Sequence, residues 1–192
     1  MLDYRNREKA YALLREYTEN KGLIKHALAV EASMRAYAKF YGEDEEEWGV
    51  VGLLHDFDYE RYPSLEEHTV VGGAILRELL FPEHVIEAIA GHADRTGERR
   101  KTRLDHALFA CDEISGFVTA VALVRPTKSV MDVDVASVKK KLKDKAFAKG
   151  VSREDVYQGA EELGRSLDEH IEFVIHALQA AADELELRGV SV

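Results

Sequence analysis

Apolar positions recur along this chain with a spacing near 3.6 residues almost from end to end, and strand-like alternation is scarce. From Lys21 to Tyr41, the residues His26, Val30, Met34, Tyr37 and Tyr41 share one face, which predicts a helix closed by Gly42. Leu13, Leu14 and Tyr17 mark an earlier helix that Asp3 can cap. "DEEE", Asp44 to Glu47, predicts the start of a third, running through "WGVVGLL" into His55 and Asp56. "SLEE", Ser64 to Glu67, predicts another through Val71, Ile75 and Leu79. Pro82 opens a short helix carrying Val85, Ile89 and His92 on one side. "TRLD", Thr102 to Asp105, begins a longer one that reaches about Val124 and is stopped by Pro126.

The last third reads differently. Arg125 to Val133 is the expected long loop, and Asp134 precedes a lysine-rich helix closed by Gly150. Ser152 caps the next helix. Leu167 to Leu187 reads as one long amphipathic helix with Leu167, Ile171, Val174, Ile175, Leu178 and Leu185 as its stripe. That stripe suits intramolecular core better than a seam between two copies, although a homodimer stays open. The expectation is a single all-α domain over 1–192, with a core at about 20–125 and a helical C-terminal extension at about 126–192.

Composition narrows the function classes. With 192 residues, 46% hydrophobic and 32% charged, the chain has the material for one sizeable core and is not of disordered type. A net charge of −10 argues against nucleic acid or an anionic membrane as partner. The longest apolar run, "FVTAVALV" at 117–124, is too short to span a bilayer. "MLDYRNREKAY" lacks the apolar stretch of a signal peptide. Cys111 is the sole cysteine, so no internal disulfide can form; a cytoplasmic location is expected. "KKKLKDK", 139–145, reads as a solvated face above Val138, Leu142 and Phe147.

The chemistry lies in where ionisable groups fall on these helices. His26 is on an apolar face, His55 and Asp56 end an apolar helix, His68 lies on the Val71/Ile75 side, His92 extends the Val85/Ile89 stripe, and Asp112 follows Leu104 and Leu108. Such groups rarely point inward unless paired, hydrogen-bonded or bound to metal. Five helices each contributing one or two of them match what a metal site inside a bundle needs. Four histidines and two aspartates exceed one ion that keeps open positions, and suit two ions sharing Asp56. By contrast His84, His106, His170 and His176 read as surface residues, and Cys111 as a small core side chain.

The order His26, then His55-Asp56, then Asp112 resembles the HD-domain superfamily of metal-dependent phosphohydrolases. "EHTVVGGAIL" with His68 and "EAIAGHAD" with His92 resemble the additional histidines of its binuclear branch. The resemblance covers roughly residues 20 to 125. It implies an HD-domain-like helical bundle in which His26, His55, Asp56 and Asp112 hold a first metal, and His68 and His92, with Asp56 bridging, a second. It implies hydrolysis of a phosphoester of a small metabolite or nucleotide by a metal-activated water. Imidazole and carboxylate ligands without thiolate suit two divalent ions of iron, manganese, nickel, cobalt or zinc. Asp58, just past the ligands, is the expected proton acceptor, and Arg95, Arg125 and Lys128 the expected phosphate contacts. Where the family often reads Ile-Gly after the doublet, this chain has Phe57-Asp58, which leaves the substrate subgroup open. The rival readings are a binuclear-iron oxygenase of the same superfamily and a non-catalytic metal-binding helical module.

Overall fold

The computed structural model describes residues 3–64, 66–94 and 97–189. Among them the chain forms α1 (Arg7–Tyr17), α2 (Lys21–Tyr41), α3 (Glu45–Leu54), α4 (Val70–Glu78), α5 (Glu83–His92), α6 (Arg103–Leu123), α7 (Val135–Leu142), α8 (Arg153–Glu162) and α9 (Leu167–Ala180). One 3-10 turn, Val130–Asp132, joins α6 to α7. No strand is present among the described residues, and the bundle is all-α as expected.

A helix apolar on nearly every side has to be enclosed, and α6 is the axis of the bundle. Its residues from Leu104 to Ala122 are mostly buried, with α2, α5, α8, α9 and α7 packed around them. α6 is long and apolar enough to cross a membrane, but two thirds of that stretch lies inside the protein. α3 packs on α2 and α1, and α4 packs on α5. Local chemistry sets most helix ends where the sequence predicts them. Gly42 closes α2 in the left-handed conformation (φ 73°), Asp44 caps α3, and Thr102 with Asp105 forms a reciprocal capping box at α6.

Five expectations need correction. Asn6, not Asp3, caps α1: its side chain accepts from the Lys9 N–H at 3.0 Å, while Asp3 bonds the Arg5 backbone. α4 begins at Val70 rather than near Ser64, because Asp58 accepts the N–H groups of Thr69 and Gly72, both at 2.9 Å, and so supplies the cap from outside. Gly72 is required there, since a Cβ would stand 2.7 Å from an Asp58 oxygen. α7 stops at Leu142, well before Gly150, although Phe147 still packs on the core. α9 stops at Ala180, after which tight turns bury Leu185 and Leu187. That return is tied by the 125–133 loop, whose Val130 N–H donates to the Leu187 carbonyl at 2.8 Å and whose Ser129 hydroxyl donates to Arg188 at 2.8 Å.

The fifth concerns His170, which is wholly buried rather than solvent-facing. It shares an i, i+4, i+7 row with Val174 and Ala177, so the buried face of α9 is wider than the stripe read from sequence. The Tyr37 hydroxyl lies 2.6 Å from its Nδ1 and the Ala110 carbonyl 2.9 Å from its Nε2. His84 and His176 are exposed as expected; His106 is half-buried against Glu162. Cys111 is buried, and burial pushes its thiol pKa well up.

Candidate metal centre

Four helices and one turn deliver six side chains to one place in the bundle. His26 comes from the second turn of α2, His55 and Asp56 from just past α3, His68 from the turn before α4, His92 from the last residue of α5, and Asp112 from the middle of α6. α3 ends here because His55 turns its ring back on the helix: its Nδ1 is 2.7 Å from the Gly52 carbonyl. His92 does the same at the end of α5, with Nδ1 2.5 Å from Ile89 O. His68 Nδ1 is 3.0 Å from Asp58 Oδ1. All three imidazoles thus spend the Nδ1 proton outward and aim the Nε2 lone pair inward.

What they aim at is anionic. His26 Nε2 lies 3.0 Å from Asp112 Oδ1 and 3.2 Å from His55 Nε2. His55 Nε2 is 3.5 Å from Asp112 Oδ1 and 3.7 Å from Asp56 Oδ2. On the other side of Asp56, His68 Nε2 and His92 Nε2 each lie 3.2 Å from Oδ1. The two Asp56 oxygens therefore face different partners, Oδ2 towards His55 and Oδ1 towards His68 and His92. One ligand atom each from His26, His55 and Asp112, and likewise from His55, Asp56 and His92, falls within 4.8 Å of the others.

At such distances the facing nitrogens and carboxylate oxygens have to share a proton or a cation. The electrostatics say the same. Burial alone would depress the His55 pKa, but the charges of Asp56 and Asp112 override it and push it up to about 9. His68 is pushed up to about 9 against its burial by Asp56 and Asp58. Burial would raise the carboxyl pKa values of Asp56 and Asp112, yet the surrounding histidines hold both well below the ordinary range. Imidazole with carboxylate, converging at the wall of one pocket, is a donor set that divalent transition ions satisfy. The residues present fit a metal.

The ligands open on a pocket of about 450 Å³, whose other walls include Tyr59, Phe109, Glu113 and Asp155. Nothing in the sequence had singled out Glu113 or Asp155. Glu113 follows Asp112 on α6, and burial, with the Asp112 charge, pushes its pKa up to about 8. Asp155 and Gly150 reach the pocket from the C-terminal extension, which only tertiary packing brings there.

Not every expected site residue takes the expected place. Asp58 is 1% exposed and does not line the pocket: one oxygen meets His68, the other the Thr69 and Gly72 N–H groups. Its oxygens hold His68 and cap α4. Arg125 lies at a separate hollow with Val121 and Lys140, and Lys128 is exposed in the loop after α6. Neither lines the pocket beside the cluster. Arg95 falls outside the described residues.

A model of the HD domain matches residues 23–116, a stretch that begins three residues before His26 and ends four after Asp112. No curated protein and no solved structure matches the chain.

Proposed function

Residues 23–116 belong to the HD-domain family, and on that premise we propose that the protein is a metal-dependent phosphohydrolase acting on a phosphoester of a small metabolite or nucleotide. The observation that carries this reading is the division of Asp56, whose two carboxylate oxygens face His55 on one side and His68 with His92 on the other. His26, His55, Asp56 and Asp112 would hold one divalent ion, and Asp56, His68 and His92 a second. Bound there, such ions supply Lewis acidity, orient a phosphate and lower the pKa of water towards neutrality.

The chain itself supplies orientation and exclusion. Gly52 O, Ile89 O and Asp58 each lock one imidazole, so that little reorganisation is left when a ligand arrives. Among the described residues no lysine or arginine lines the pocket. Attraction for an anionic substrate against a net charge of −10 then rests on positive charge held in the ligand cluster. The pocket volume of about 450 Å³ is of the size that takes a small ligand.

The test is metal analysis of freshly purified protein followed by a phosphoester panel with that metal restored. Roughly two ions per chain and turnover of at least one small phosphoester are expected. Metal at trace level with no turnover would leave a non-catalytic helical module. Iron loading with oxygen consumption and no hydrolysis would point to an oxygenase.

A further inference from the structure

His92 is the last residue of α5, where a helix leaves its final carbonyls without partners. Gly91 O, which also takes the Asp94 N–H at 3.2 Å, and Asp94 O, just past the helix, accept from one side-chain nitrogen, Arg100 Nη1, at 3.2 and 2.5 Å. The Arg100 side chain has no exposed surface, and its guanidinium lies 3.6 Å from the centre of the Phe109 ring. Gly97 packs beside it, with a φ of 77° that strains a side chain and a position where a Cβ would stand 3.0 Å from Arg100 Nη2.

A buried guanidinium needs a counter-charge. It comes from Glu162 at the end of α8, which takes Nε and Nη2 in a two-pronged pair, both at 2.8 Å. Gln158 and His106 hold the same carboxylate at 2.7 and 2.8 Å. Glu162 lies outside the stretch matched to the HD domain. The hydrogen bonds of His26 run to Asp112 and His55, whereas the His92 turn is bonded to Arg100 through Gly91 O.

We propose that the Glu162–Arg100 pair is a positioning device for the half of the centre built by Asp56, His68 and His92. Glu162 holds Arg100, Arg100 ties the carbonyls around His92, and the C-terminal extension thereby becomes part of the metal centre. The proposal rests on the reading of this centre as binuclear. Both residues are positioning residues, since neither lines the pocket nor belongs to the ligand cluster.

Cobalt(II) titration of chelator-treated protein tests it, followed by calorimetry and by visible absorption, with circular dichroism as the control on folding. Wild type is expected to take two ions. Glu162→Gln and Arg100→Lys are each expected to keep one ion at unchanged affinity and to bind the other at least tenfold more weakly, on the scale typical of ligand-supporting residues. His92→Ala supplies the reference spectrum for loss of that half, and Glu154→Gln, exposed on α8, should match wild type. Parallel weakening of both ions, unchanged binding in both variants, or loss of helical signal in both at saturating cobalt overturns the proposal. Wild type taking fewer than two ions overturns the binuclear reading itself, and the proposal with it.

Discussion

His55 and His170 are equally buried, each with no exposed surface, yet they sit in opposite electrostatic worlds. His170 meets a tyrosine hydroxyl and a backbone carbonyl, both neutral, and burial drives its pKa down to about 4. His55 meets two carboxylates, which overcome its burial and raise it to about 9. Burial alone makes a satisfied neutral core residue; burial beside carboxylates makes a place that demands a cation. The histidine–aspartate cluster and the α6–α9 core differ in this respect even where, as at His55 and His170, burial is the same.

The strongest way to break the contrast is Asp56→Ala, which removes the shared carboxylate. Metal retention should fall to background and phosphoester turnover with it, while helical circular dichroism stays near wild type. Metal occupancy at the wild-type level in this variant would refute the assignment.

On the other side, His170→Ala should destabilise the fold by about 3 kcal/mol through a cavity and an unpaired Tyr37 hydroxyl. Its metal stoichiometry should not change; urea unfolding and metal analysis together check this. The pH axis separates the two histidines further. Because His170 protonates more readily when unfolded, its contribution is intact above pH 6.5 and is lost as pH falls towards 4, by roughly 3 kcal/mol from the shift to about 4. His170→Gln should flatten that acid limb in urea titrations. In chelated protein His55 acts with the opposite sign: its ion pairs stabilise below pH 6.5, and that contribution disappears as pH rises through about 9.

A smaller effect is expected from Asp58→Asn, which keeps an acceptor for the α4 N–H groups but weakens the grip on His68. Calorimetric titration should show one of two ions bound about tenfold more weakly. At the bottom of the scale, Lys128→Ala should change turnover little and stability by less than about 0.5 kcal/mol, because the residue is exposed and away from the pocket.

The legible parts of the sequence were those set by neighbours in the chain. Gly42 and Asp44 mark their helix ends because caps act within three or four residues. His26, His55, Asp56, His92 and Asp112 could be read as inward from helical spacing alone. The contacts of Asp58 were not legible because its partners, Thr69 and Gly72, are more than ten residues away. His170 was misjudged because the row it shares with Val174 and Ala177 becomes buried only once α6 and Tyr37 cover it.

By itself, then, the order of residues determined an all-α chain with a set of imidazoles and carboxylates on core-facing positions, since periodicity and capping are local properties of a polypeptide. Only the tertiary structure decided which oxygen of Asp56 faces which histidine, that Asp58 meets His68 and the start of α4, and that Glu162 reaches Arg100 beside the turn of His92. Those outcomes depend on distances between side chains widely separated in sequence, and no local pattern encodes such a distance.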